Sequence, residues 1–197
     1  MSENRERILI VDDEFVTVAR LIDDLKEHKY LVDFRPDLES ARAAIEQASK
    51  EDPGKYGAVL IDLMFKRSGR ALEKYERQLL EKSNTTSVEA RGQTLGLYLS
   101  ENFRQLPYAY ISLRPGVFVV TGIEFSGCVD RGGIPPRPWV MSKLDVIEKG
   151  DIAESVAKLI EYWGACSAAR AESTSLSPSR SEAAPASGVE AESGGSL

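Results

Sequence analysis

The strongest constraint in this chain is a rhythm. Short apolar runs of strand length alternate with longer segments whose apolar residues recur every three or four positions. Ile8-Leu9-Ile10-Val11 is the first run, residues 30–34 the second and Ala58-Val59-Leu60-Ile61 the third. Runs this apolar fit strands buried on both faces. Between them, Phe15, Val18, Ile22 and Leu25 share one helical face, and so do Leu38, Ala41, Ile45 and Ala48. Asp52-Pro53-Gly54 stops the second of these helices. Strand, helix, strand, helix, strand predicts a parallel sheet with helices on both faces.

The rhythm breaks at residues 66–91, which carry seven basic residues against four glutamates in a chain of net charge −6. Leu72, Tyr75, Leu79 and Leu80 predict a helix near 70–82, followed by a polar loop at Ser83–Ser87. This piece reads as an ordinary surface helix or as a docking element. The pattern resumes at residues 92–106, with Leu95, Tyr98, Leu99 and Phe103 on one face. Residues 107–116 fit an extra strand or a loop. Val117-Phe118-Val119-Val120 reads as a buried strand ending in Thr121, and Trp139-Val140-Met141 as an edge strand followed by Lys143. Gly and Pro keep any helix within 123–138 short. A capping-box pattern at Asp151–Glu154 opens a helix that is expected to end near Gly164. The expected organisation is one domain over 1–166, carrying the basic insertion 66–91, and a disordered tail over 167–197. That tail has no aromatic residue and is rich in Ser, Ala, Gly, Pro and Glu.

Bulk properties narrow the functional classes. An acidic chain of 197 residues argues against a nucleic-acid surface. No apolar run reaches the roughly 20 residues needed to span a bilayer, and the polar start Met-Ser-Glu-Asn-Arg predicts no signal peptide. Cys128 and Cys166 are too few and too far apart for a zinc site or a disulfide framework. A cytoplasmic location is the expectation. The lone His28, near the end of the first helix, suits a surface or capping role.

The chemistry gathers at strand ends. Asp12 and Asp13 follow the first run directly, and Asp62 ends the third. Adjacent carboxylates at the mouth of a core ionise cheaply only beside positive charge. A hard divalent cation would serve, while an acidic helix cap accounts equally well for Asp12 and Asp13 taken alone. In open parallel sheets, ligands bind beyond the carboxyl ends of the strands. A 2-1-3-4-5 strand order would make the three acids converge.

Four pieces in order, Ile-Leu-Ile-Val-Asp12-Asp13-Glu14, Val-Leu-Ile-Asp62-Leu-Met64, Val-Val-Thr121-Gly, and Lys143 placed 22 residues after Thr121, resemble the receiver domain of two-component response regulators over roughly residues 5–165. The likeness is to the stand-alone, chemotaxis-type receiver, with an insertion after the phosphoacceptor strand. It implies an α/β fold with a doubly wound, five-stranded parallel sheet of order 2-1-3-4-5 (flavodoxin-like) and helices on both faces. It also implies a phosphoacceptor signalling protein rather than an enzyme. Asp62 would take a phosphoryl group from a phosphohistidine. Asp12, Asp13, Asp62 and the backbone carbonyl of Met64 would hold Mg²⁺, Asp12 through water. Lys143 and Thr121 would contact phosphoryl oxygens. The implied partners are a sensor histidine kinase or histidine phosphotransfer protein and an unidentified downstream protein, with no nucleic acid and no membrane. The oligomeric state is not implied.

The chain departs from that pattern in three places. Leu144 follows the lysine where receivers usually carry proline. Phe65-Lys66 replaces the usual Met-Pro. Val140 occupies the aromatic switch position, with Trp139 beside it. These departures motivate an alternative, a degenerate receiver that binds a partner without phosphorylation. A phosphohydrolase using Asp62 would want a second acid two residues on as general acid, and that position is Met64.

Overall fold

The computed structural model describes residues 6–83, 89–119 and 139–175. Five strands form one sheet: β1 (Arg7–Val11), β2 (Leu31–Arg35), β3 (Ala58–Asp62), β4 (Tyr108–Ser112) and β5 (Val140–Ser142). All neighbouring pairs are parallel and the order is β2-β1-β3-β4-β5. This is the doubly wound, flavodoxin-like α/β fold expected from the sequence. Every residue of β3 and β4 is buried, as parallel strands covered on both faces must be. β2 lies at the edge and is only partly covered.

Six helices flank the sheet among the described residues: α1 (Phe15–Glu27), α2 (Leu38–Glu51), α3 (Glu73–Ser83), α4 (Gln93–Asn102), α5 (Lys143–Lys149) and α6 (Ile152–Ser175). α1 packs with α5 and α6. On the other face, α2 lies over β1 and β2, α4 over β3 and β4, and the Tyr98 hydroxyl of α4 donates to Glu46 of α2 at 2.5 Å. Local signals set the boundaries. Asp37 caps α2, its Oδ1 accepting from the Ser40 N–H at 2.7 Å, a contact worth about 1 kcal/mol. His28 closes α1 as expected, its ring nitrogen contacting the Asp24 carbonyl at 2.9 Å.

The basic piece becomes a third layer. A 3-10 turn at Arg70–Leu72 leads into α3, which packs on the outer side of α4. That explains why α4 is apolar around much of its circumference, with Leu95, Leu97 and Leu99 all buried. Tyr75 of α3 meets Tyr98 edge-on, 6.0 Å between ring centres, and its hydroxyl donates to Glu101 at 2.5 Å.

Three expectations need correction. The fourth strand is Tyr108–Ser112; residues 115–117 instead form a 3-10 turn that starts at Pro115. The sequences of 108–112 and of the expected strand 117–120 are both short, apolar and rich in β-branched or aromatic residues, so composition alone does not separate them. The sheet selects 108–112 because that segment pairs on both sides, with β3 and with β5. Second, α5 begins immediately at Lys143, where no helix was expected; Ser142 caps it and Gly150 ends it. Third, α6 continues past Gly164 to Ser175, so the expected boundary at 166–167 falls inside a helix. The alanines at 165, 168, 169 and 171 favour helix by more than one glycine opposes it.

Candidate functional site

The sheet order makes neighbours of the strands that carry the acids. β1 delivers Asp12 one residue past its end, and β3 ends on Asp62. Lys143, the first residue of α5, reaches across the end of β4 from the far side. Its Nζ lies 2.5 Å from Asp12 Oδ2 and 3.3 Å from Asp62 Oδ1. Asp12, Asp62 and Lys143 are all buried, whereas Asp13 is exposed. One carboxylate oxygen from each of Asp12, Asp13 and Asp62 falls within 4.8 Å of the others. The pocket therefore has a buried floor and opens to solvent at Asp13.

The backbone supports both buried acids. Asp12 Oδ1 accepts from the Glu14 N–H at 2.8 Å, and the backbone of Met64 favours the ionised form of the Asp62 carboxyl. Thr17, in the first turn of α1, receives a long contact of 3.5 Å from Lys143 Nζ. Burial dominates the electrostatics. It pushes the Asp62 carboxyl up to about 6, against the opposing pull of Lys143 and with a further upward push from Asp12. Burial also raises Asp12, again against Lys143.

A divalent cation fits this donor set. Three carboxylates face one ammonium, so the fully ionised cluster is left with two uncompensated negative charges. Buried Asp12 Oδ2 and Asp62 Oδ1 share the single ammonium of Lys143. Buried carboxylates that outnumber their counter-charge are costly. Hard oxygen donors, few in number and open to water on one side, are what magnesium accepts.

Two neighbours of Asp62 were not legible as site residues. Gly92, just before α4, sits directly on the end of β3. A Cβ there would lie 1.7 Å from the Asp62 carbonyl oxygen, and the Gly92 N–H donates to the Leu63 carbonyl at 2.9 Å. Next to it, the buried amide of Gln93 clasps the backbone of Val119. Its Nε2 donates to the Val119 carbonyl at 2.5 Å and its Oε1 accepts the Val119 N–H at 3.0 Å. A glycine before an amphipathic helix was visible in the sequence; the close approach that requires it was not.

Thr121 lies outside the described residues. The strand end it was assigned to belongs instead to Ser112, which is buried on β4 between the strands of Asp62 and Lys143. Ser112 pairs in register with Ser142, next to Lys143, and its Oγ accepts from the Arg114 N–H at 3.2 Å. Met64 is half-buried just beyond β3. Trp139 stacks edge-on with Trp163 of α6, 5.4 Å between ring centres. The register keeps Val140 opposite Tyr110, so Trp139 is not shifted into the position of Val140. Leu144 is exposed at the start of α5.

No protein-family model matches this chain, and no curated protein matches it. Solved structures that resemble it include a sensor protein from Polaromonas sp. JS666, 19% identical, with 81% of this chain and 98% of that chain covered and a TM-score of 0.37. Another is the RcsB response regulator of Salmonella typhimurium, in a structure concerned with conformational dynamism for DNA interaction. It is 19% identical over 82% of this chain and 69% of that chain, with a TM-score of 0.38. Likeness at this level carries no functional argument, which rests on the site. Among the described residues, no helix is long and apolar enough to cross a membrane.

Proposed function

We propose that this chain is a phosphoacceptor receiver that takes a phosphoryl group onto Asp62 and signals through partner binding. The observation that carries the reading is the convergence of Asp12, Asp13, Asp62 and Lys143 at adjoining strand ends of a 2-1-3-4-5 sheet. An Asp62 carboxylate oxygen attacks the phosphorus of a phosphohistidine. The P–N bond breaks, the imidazole leaves with its electron pair, and an acyl phosphate forms. Asp13, Asp62 and the Met64 carbonyl, with Asp12 through water, would hold Mg²⁺, which would supply positive charge to the phosphoryl oxygens.

The chain's own residues do the rest. Lys143 offsets part of the charge of the buried acids and would pair with a phosphoryl oxygen as a point charge. Ser112 takes the hydroxyl role at the end of β4 that the sequence reading assigned to Thr121. The backbone amide of Glu14 orients the Asp12 carboxylate. The donor is a sensor histidine kinase or a histidine phosphotransfer protein, acting in the cytoplasm, and the output is a downstream protein that distinguishes the two states. Incubation with Mg²⁺ and acetyl phosphate tests this reading. The expected product is one hydroxylamine-labile phosphoryl group that is absent from Asp62→Asn.

A specific observation favours a second reading, a receiver that binds its partner without phosphorylation. Lys143 is already engaged by both buried acids, and Leu144 continues helix α5 where typical receivers carry proline. Partner binding that is unchanged in Asp62→Asn and Asp62→Ala would select it.

A further inference from the structure

We infer that the loop following β3 is a fixed basic lip that draws anionic phosphodonors to the acidic pocket. The inference deepens the phosphoacceptor reading and rests on it. Between Leu63 and Leu72 the chain has three cations, Lys66, Arg67 and Arg70, and no acid. All three are exposed. Among the described residues, none of the three side chains has a carboxylate partner, whereas Lys74 and Arg91 of the same segment pair with Glu101 and Glu76. Over the rest of the segment four cations are matched by four glutamates, whereas the three lip cations have no acid among them.

The loop holds its shape. Phe65, Ser68 and Leu72 are buried and peg it down between the exposed cations. Arg91 reaches the Phe65 carbonyl at 3.4 Å. The Arg70 N–H donates to Glu39 Oε1 at 2.9 Å, which ties the loop to the first turn of α2. Gly69 makes the turn at φ 82°, a conformation that suits glycine, and Glu39 packs where its Cβ would be. Since α2 starts just beyond the carboxyl end of β2, this tether keeps the lip at the end of the sheet that carries Asp62.

The charges there have a purpose that the pocket lacks. Asp12, Asp13 and Asp62 attract a divalent cation but repel the dianionic phosphoryl group that must follow it. A set of unpaired cations at the rim offsets that repulsion and raises the local concentration of anionic donor. The chemical class that fits is a phosphorylated donor carrying negative charge around the phosphoryl group, an acyl phosphate or a phosphoramidate.

The test compares a Lys66→Glu/Arg67→Glu/Arg70→Glu variant with a control of equal net charge, Lys26→Glu/Lys50→Glu/Lys55→Glu. The control residues lie toward the opposite end of the sheet, in the last turns of α1 and α2 and the loop before β3. The probe is acetyl phosphate with saturating Mg²⁺. Circular dichroism confirms that both variants fold. The lip variant is expected to lose roughly three- to tenfold in second-order labelling rate at low ionic strength. The loss should vanish near 1 M KCl, where the Debye length falls to about 3 Å. The same variant should bind Mg²⁺ more tightly than wild type, because the sign of the lip field is reversed. A lip variant that labels at the control's rate, or a loss that persists in high salt, overturns the inference while leaving the phosphoacceptor reading standing. Wild-type protein that takes no label overturns both.

Discussion

Replacing Asp62 with asparagine should make the metal-free protein more stable at neutral pH. Asp62 is buried at the end of β3, and burial pushes its carboxyl from 3.8 up to about 6 despite the nearby Lys143. A raised carboxyl pKa means that the folded state binds the proton more tightly than the unfolded chain does. Stability therefore falls as pH rises from about 4 to about 6, and the full penalty applies above that window. At roughly 1.4 kcal/mol per unit, the shift corresponds to about 3 kcal/mol at pH 7.5. An asparagine side chain keeps the size and loses the charge, so Asp62→Asn should gain about that amount at pH 7.5 and only about 1 kcal/mol at pH 4.5. For a chain of this length, the neutral-pH gain corresponds to a rise of about 6–12 °C in Tm. The assay is thermal or urea unfolding of both proteins in EDTA at the two pH values. Added Mg²⁺ should then stabilise wild type and narrow the gap. Equal stability at pH 7.5, or an advantage that does not shrink in acid, would refute the claim that burial of this charge governs the site.

Two further substitutions probe the same centre. Lys143→Met leaves Asp12 and Asp62 buried without their counter-charge. It should cost about 3–5 kcal/mol at pH 7.5 and recover part of that at pH 5, when the raised carboxyls take up protons; urea melts at both pH values with no such recovery would contradict it. Gly92→Ala forces a Cβ to within 1.7 Å of the Asp62 carbonyl unless β3 or α4 moves. A cost of about 1–3 kcal/mol, together with slower acetyl phosphate labelling, is expected, and unchanged labelling would mean that Gly92 does not position Asp62.

How far the sequence carried the account differs by element. β1, β3, α1 and α2 were legible because each has one clear period and a turn signal at its end. Asp12, Asp13, Asp62 and Lys143 were legible because each adjoins such an element. The fourth strand was not, since Tyr108–Ser112 and residues 117–120 are equally apolar and only pairing with β3 and β5 distinguishes them. Ser112 was missed with it. Gly92 and Gln93 act through contacts with β3 and Val119, 26 or more residues away in sequence. No local pattern encodes contacts of that range. Extension of α6 past Gly164 shows alanine propensity outweighing a single glycine.

The central claim is that Asp62 accepts a phosphoryl group in a magnesium-dependent reaction. Mass spectrometry of the protein incubated with acetyl phosphate, with Mg²⁺ or with EDTA, tests it most directly. The account predicts one added phosphoryl group in Mg²⁺, lost in hydroxylamine, mapped to the peptide containing Asp62 and absent in EDTA. Wild-type protein that remains unmodified in Mg²⁺, or a label that persists in Asp62→Asn, would contradict it.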